Sequence, residues 1–377
     1  MNPDIAQIPS PCYLLEETKL IRNLELLKRV QEQAGCSIIL ALKGYAMWST
    51  FPLIRRYLPG CTASSLFELQ LAHEEFGGEC HIYAAAYRDD EFAAICDMAG
   101  HIVFNSLGQW QRFGARARDA GASCGLRVNP GIAEVAIDLY NPCFAGSRLG
   151  VRPQQLQNAD LDGIDGLHAH ALCENMADAS IRLIDAFEAQ FGHLIPQLKW
   201  VNFGGGHLIT HAEYDVDALI RRIRAFRERW DVAVYLEPGS AVGWQTGILV
   251  ASVLDIVPTD ALPVAILDIS ATAHMPDVLE MPYRPTVTGA AEAGATAYTY
   301  RFGGASCLAG DVIGDYAFEQ PLAVGSRIVF EDMIHYTMVK TTMFNGVRHP
   351  DIGIRHADGR FELVRRFGYQ DFKQRLS

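Results

Sequence analysis

The sequence predicts an α/β protein, a TIM-like (β/α)8 barrel joined to a second, mainly antiparallel β domain. Three observations predict it. Eight short β-rich apolar runs alternate with helical stretches between Cys36 and Glu237. Glycines and polar residues gather where several of those runs end. After Gly247, further β-rich runs follow one another without helices between them. At 377 residues, 49% hydrophobic and 20% charged, the chain is long enough to bury two cores.

Taken in order, the run Cys12 to Leu15 precedes a helical stretch from Glu16 to Ala34. A barrel of eight strands has no vacancy for that run, so it is expected in the β domain. Barrel strands are expected at Cys36 to Leu42, Cys61 to Ser64, His81 to Ala86, Ile102 to Asn105, Gly125 to Asn129, Gly166 to Ala171, Trp200 to Gly204 and Val232 to Glu237. The stretches between them, among them Leu66 to Phe76, Asp89 to Ala99, Leu107 to Ala120, Ala177 to Phe191 and Tyr214 to Trp230, space apolar residues three and four apart. That spacing lays one apolar stripe against a sheet. Eight such units suit a parallel barrel, usually ~250 residues, whereas a doubly wound open sheet commonly uses fewer strands. Beyond the barrel, Ile248 to Val257, Val264 to Ile269, Thr296 to Phe302 and Arg327 to Glu331 read as antiparallel strands. The expected limits are 33–245 for the barrel, and 1–32 with 246–377 for the β domain.

Composition narrows the partners. A formal charge of −12, with no basic cluster beyond Arg221-Arg222-Ile223-Arg224 on the wet face of a helix, argues against nucleic acid. No basic and apolar leader opens the chain, and no apolar stretch approaches the ~20 residues of a membrane helix. A cytoplasmic protein acting on a small molecule is expected. Nine scattered cysteines without a C-x-x-C pair suggest neither a disulfide framework nor a metal site.

The chemistry should lie at the carboxyl ends of the barrel strands. Lys43 closes the apolar run Cys36 to Leu42, His170 lies at the end of Gly166 to Ala171, Gly204-Gly205-Gly206 follows Trp200, and Glu237-Pro238-Gly239 closes the last strand. A strand-end lysine is commonly led out to water by its stem, but here it falls on the same rim as the others. Three glycines let the backbone approach an anion closely, and a following helix adds free N–H groups, so phosphate is the natural guest. Lysine plus phosphate cradle points to pyridoxal 5'-phosphate held as a Schiff base on Lys43. Glu237 would then keep the pyridine nitrogen protonated. His170 either stacks on the ring or fills the barrel interior. In the β domain, Gly303 to Asp311 places Cys307 in a glycine-rich loop where a thiol can give or take a proton, and Tyr336 lies near Phe344-Asn345-Gly346.

These residues resemble the fold-type III pyridoxal-phosphate decarboxylases, related in architecture to alanine racemase and including ornithine and diaminopimelate decarboxylases. The resemblance spans nearly the whole chain in the same order. Gly146-Ser147-Arg148-Leu149-Gly150, His274 to Pro285 and Ser306 to Asp315 are similar to the carboxynorspermidine (carboxyspermidine) decarboxylases. The resemblance implies that Lys43 binds the cofactor covalently and His170 stacks on it. It further implies that Gly204, Gly205, Gly206, Gly239 and Tyr336 surround the cofactor and its phosphate, and that Glu237 meets the ring nitrogen. Cys307, supplied by a partner subunit, would return a proton to the α-carbon, so a homodimer with shared sites is expected. Asp277, Glu280, Asp311, Ser240 and Arg148 are the expected substrate contacts.

Two positions bear on the substrate, in opposite directions. Diaminopimelate decarboxylases usually carry an acid after the cysteine, where this chain has Leu308. The family usually follows Glu-Pro-Gly with a second glutamate, where this chain has Ser240. The resemblance implies decarboxylation of carboxynorspermidine or carboxyspermidine; Ser240 departs from that pattern and keeps another N-substituted or citryl-type diamino acid, or diaminopimelate, as the alternative. A racemase would prefer arginine at the ring nitrogen, and a silent binding protein would be expected to lose Lys43 or the glycines.

Overall fold

A computed structural model describes residues 3–132, 134–135 and 138–377. They form two compact units, 22–242 and 1–21 with 243–377. The first carries a closed ring of parallel strands. Its strands are β2 (Ser37–Ile38), β3 (Leu40–Ala41), β4 (Gly60–Ala63), β5 (Glu79–Tyr83), β6 (His101–Phe104), β7 (Ser123–Arg127), β8 (Gly166–His168), β9 (Trp200–Asn202) and β10 (Ala233–Leu236), while β1 (Cys12–Glu16) lies in the other unit. Neighbours pair in chain order from β3 to β10, and β10 returns to β2.

The nine segments are the eight expected strands, because the first is interrupted. Ser37–Ile38 pairs with β10 and Leu40–Ala41 with β4, so one apolar run bridges the seam of the barrel. Ile39 between them still donates to the Leu236 carbonyl at 2.9 Å.

Outer helices form where the periodicity places them. Val216–Trp230 buries Val216, Leu219, Ile220, Ile223 and Phe226, a stripe at helical spacing. Asp215 caps it by accepting from the Ala218 N–H at 2.9 Å, a contact whose loss typically costs about 1 kcal/mol. Asp231, left-handed at φ 49°, ends it. Phe226, Phe187 and Phe203 then meet edge to face beneath the helices.

At the foot of the barrel, Glu79 Oε1 meets His81 Nε2 at 2.9 Å, His101 Nδ1 at 3.3 Å and the Tyr235 hydroxyl at 3.0 Å. Sequence reasoning gave no sign of this trio of metal-ligating type. The two imidazoles stack with centroids 4.0 Å apart. His81 and Tyr235 hydrogen-bond the carboxylate, His101 lies within ion-pair distance of it, and Glu79, His81 and His101 are of a type and spacing that could hold a metal ion.

In the other unit β1 joins a sheet with β11 (Gly247–Val257), β12 (Val264–Leu267), β13 (Tyr298–Gly303), β14 (Val312–Phe318), β15 (Arg327–Glu331), β16 (Asp351–Arg355) and β17 (Phe361–Arg365). The order is β14-β13-β12-β11-β1-β16-β17, with β15 also on β11. Two pairings, β1 with β16 and β12 with β13, are parallel. Short helices Ala271–His274 and Asp277–Glu280 stand between β12 and β13, where the sequence predicts only strands. Alternation places Cys12 and Leu14 in a core with Ile248, Val250 and Val329.

Candidate active site

Lys43 sits in the turn just past Leu42, where the strand's apolar run has ended, and is half-buried. Among the described residues its amine makes no hydrogen bond or ion pair. Burial first and the Arg127 guanidinium second hold its pKa below the ordinary lysine value, with Glu237 and Glu68 opposing them. A lysine so placed keeps a larger neutral, nucleophilic fraction than one in water.

Beside it the backbone closes tightly. A Cβ on Gly44 would lie 2.7 Å from the Gly239 α-carbon, and one on Gly239 would lie 2.9 Å from the Gly44 α-carbon. The rim segments after the first and last strands therefore touch through hydrogen atoms alone.

The glycine triplet is shaped by its neighbours. Gly204 and Gly206 have φ of 67° and 84°, and added Cβ atoms would lie 2.7 Å from the His170 Cβ and 2.2 Å from the Leu172 carbonyl oxygen. A Cβ on Gly205 would come 2.3 Å from the Glu237 carbonyl oxygen. The Gly205 N–H donates to His170 Nδ1 at 2.8 Å, so the other ring nitrogen carries the proton of the neutral imidazole. Burial, then Lys43 and Arg127, hold His170 well below the ordinary histidine pKa.

Glu237 is 7% exposed. Its Oε1 accepts from Asn202 Nδ2 at 2.7 Å, and its Oε2 lies 3.3 Å from His168 Nε2. Burial pushes its pKa up, but the His168 ring, His81 and the Asn202 amide together bring it down to about 2, so it stands ready as an anion. Asn202 also accepts from the Gly204 N–H at 2.8 Å, and the Glu237 N–H donates to the Gly204 carbonyl at 2.7 Å. One buried amide thus fixes both the carboxylate and the first glycine.

Lys43, His170, Gly204, Gly205, Gly206, Glu237 and Gly239 are thereby brought to one rim. Ser240 joins them: its hydroxyl donates to Glu174 Oε1 at 2.9 Å. Arg148 has an exposed side chain within electrostatic reach of Tyr83, and its carbonyl accepts from Asn105 Nδ2 at 2.9 Å. Sequence reasoning missed Arg127, His168, Asn202 and Glu174. The first three carried a signal, since each is a polar residue in an otherwise apolar strand, and His168 precedes His170 by the two residues that place both on one face.

The second unit holds the remaining residues. Cys307 is exposed, and its N–H donates to Asn345 Oδ1 at 2.8 Å. Asp311 is buried: Oδ1 accepts from the Ala271 N–H at 2.7 Å and Oδ2 from the Ser306 hydroxyl at 2.5 Å. Within this unit it fastens the Cys307 loop to a helix start. Tyr336 opens the short helix Tyr336–Val339. Asp277 and Glu280 both bind the Lys340 ammonium, the latter at 2.6 Å. These acids are already engaged by an internal cation from 63 and 60 positions further along the chain.

A neutral-leaning amine, an uncharged imidazole, a glycine cradle that admits no Cβ and a buried carboxylate form the donor set that pyridoxal phosphate requires. The chain belongs to the pyridoxal-dependent decarboxylases: the family described as pyridoxal-dependent decarboxylase, C-terminal sheet domain, matches residues 23–334. It is an enzyme of the carboxy-lyase class. It is 50% identical over 376 residues to carboxyaminopropylagmatine decarboxylase of Synechocystis sp., covering 100% of this chain and 97% of that one. It is 45% identical over 380 residues to carboxynorspermidine/carboxyspermidine decarboxylase of Campylobacter jejuni, covering 98% and 99%. The crystal structure of carboxynorspermidine decarboxylase from Campylobacter jejuni, complexed with norspermidine, superimposes with a TM-score of 0.91 at 44% identity, over 98% of this chain and 100% of that one. A Helicobacter pylori diaminopimelate decarboxylase shares the fold, with a TM-score of 0.81 at 16% identity.

Proposed function

We propose that this enzyme removes the α-carboxylate from a carboxylated polyamine precursor of the carboxynorspermidine/carboxyspermidine class, using pyridoxal 5'-phosphate. The observation that carries the reading is the convergence of Lys43, the glycine cradle and an anionic Glu237 on one rim, tied together by Asn202 and the Gly44–Gly239 contact. When bound, the cofactor supplies an electron-accepting ring for the pair left behind as carbon dioxide departs. Lys43 would hold the cofactor covalently through its amine. The amides of Gly204, Gly205 and Gly206, with Tyr336, bind the phosphate, and Gly239 leaves the ring room. His170 supports the ring face. Glu237 holds a proton on the ring nitrogen, and its anionic state favours decarboxylation over the racemase alternative. Cys307 of a partner subunit returns a proton to the α-carbon, which requires a homodimer. Asp277 and Glu280 bind substrate ammonium groups once Lys340 is displaced, and Arg148 reaches the substrate from its exposed position. Asp311 supports the Cys307 loop. The reaction is placed in the cytoplasm.

A second reading, decarboxylation of carboxyaminopropylagmatine, is favoured by the 50% identity to an enzyme of that name and by Ser240 in place of a second glutamate. Carbon dioxide release from carboxynorspermidine, carboxyspermidine, carboxyaminopropylagmatine, ornithine, lysine and diaminopimelate tests the reading. The polyamine precursors should exceed the three simple amino acids by at least about tenfold in kcat/KM. Preference for ornithine, lysine or diaminopimelate would overturn the substrate class and leave the reaction type standing.

A further inference from the structure

Glu174 is an exposed carboxylate in a left-handed backbone conformation, φ 52°, that side chains other than glycine seldom adopt. The strain is held in place from both sides. Asn175 donates its N–H to the Gly206 carbonyl at 2.8 Å, and its Oδ1 accepts from the Cys173 N–H at 2.8 Å. Leu172 packs against the same glycine, since a Cβ on Gly206 would strike its carbonyl. The turn is therefore built onto the glycine cradle. Its acid is aimed across to the other wall of the rim, where the Ser240 hydroxyl donates to Oε1 at 2.9 Å. Ser240 is 7% exposed and follows Gly239, which touches Gly44 beside Lys43. Among the described residues no lysine, arginine or histidine pairs with Glu174. The turn thus holds this carboxylate at the mouth of the candidate site, with Ser240 as its hydrogen-bond partner.

We propose that Glu174, oriented by Ser240, is the specificity-determining carboxylate that binds the guanidinium end of the substrate. The inference rests on the second polyamine-precursor reading, the guanidinium-ended substrate, and adds the residue that would select it. One hydroxyl bond restrains Oε1 and leaves Oε2 and the second lone pair of Oε1 open. Two in-plane acceptors match the two parallel N–H groups of a guanidinium, whereas a tetrahedral ammonium directs its donors out of that plane. A glutamate at position 240 would instead put two carboxylates side by side, an arrangement suited to a compact ammonium between them. Serine in that position leaves a single acid, restrained at one oxygen, in place of a two-acid site.

The test is steady-state kinetics of the cofactor-loaded enzyme on carboxyaminopropylagmatine, carboxynorspermidine and carboxyspermidine, with calorimetric binding of agmatine as a second readout. Wild type should prefer carboxyaminopropylagmatine. Glu174→Gln should raise its KM for that substrate by about 10- to 100-fold, the loss of a charge-assisted pair, with a much smaller fall in kcat and a parallel loss of agmatine binding. Ser240→Ala should show the same effect more weakly, and Ser240→Glu should shift the preference towards carboxynorspermidine. Unchanged substrate ratios in Glu174→Gln and Ser240→Glu would overturn the proposal. So would equal losses on all three substrates, which mark a merely structural turn; Glu174→Asp and Ser240→Ala give the same comparison should Glu174→Gln fold poorly. If wild type turns over none of the three, the polyamine reading itself fails. If it turns over all three without regard to position 174, only this inference fails.

Discussion

Gly44 and Gly239 approach so closely that a methyl group on either would lie within 3 Å of the other's α-carbon. The segment carrying Lys43 is thereby seated directly on the segment carrying Glu237, and the span between the amine and the acid is set by backbone. Gly239→Ala should push them apart. We expect the variant to bind pyridoxal phosphate at least about tenfold more weakly in equilibrium titration, because small displacements of a positioned group carry large penalties. Wild-type affinity in a folded Gly239→Ala protein would show that the contact is not needed.

Lys43 is the only covalent anchor proposed for the cofactor. Protein reconstituted with pyridoxal phosphate should show near-visible absorbance that borohydride fixes permanently to the chain. Lys43→Ala should bind the cofactor reversibly at best, and dialysis should remove it. A borohydride-stable label on the alanine variant would place the anchor elsewhere.

Burial and Arg127 depress the Lys43 pKa, so its neutral fraction rises with pH sooner than that of a free lysine. The rate of cofactor loading should therefore climb and level off at lower pH than for a model lysine amine. Arg127→Met removes one depressing charge and should move the profile to higher pH. A profile unmoved by that change, in a protein that still loads, would leave burial as the whole cause.

Glu237 has a folded pKa of about 2 against an ordinary 4.5. A depressed carboxylate stabilises the fold above its unfolded pKa, and that contribution is lost as pH falls through the folded value. The span corresponds to on the order of 3 kcal/mol, lost between about pH 4.5 and about pH 2. Cofactor-free Glu237→Gln should show a flatter decline of denaturation midpoint across that window. Parallel declines for the two proteins would remove the ionised buried acid.

Cys307 is exposed and its side chain is not part of a core. Cys307→Ala should keep its Tm within about 2 °C and its cofactor affinity, yet slow turnover or misdirect protonation, read as altered product stereochemistry in deuterated water. Equal rate and product from the variant would remove the thiol from the reaction.

Much of this architecture was legible along the chain. Alternation of apolar runs with helical spacing gave the barrel, and its strand ends gave Lys43, His170, the glycines and Glu237 at one rim. The seam at Ile39 was not legible, because an interrupted strand and an unbroken one have the same apolar composition. Nor were β16 and β17, whose apolar residues are interrupted by Asp351, Gly353 and Glu362, residues that strands disfavour.

Residue type and order determined by themselves that this chain forms a barrel with a lysine, a run of three glycines and an acid on its rim. Local propensity and periodicity act over neighbours in sequence, and those features are local. Only the tertiary structure decided what each acid meets. It placed Asn202 on Glu237, Lys340 on Asp277 and Glu280, and Ser240 on Glu174, pairs separated by 35, 63, 60 and 66 positions. Such pairings depend on how strands close and loops cross, and charge is read by whatever lies nearby in space.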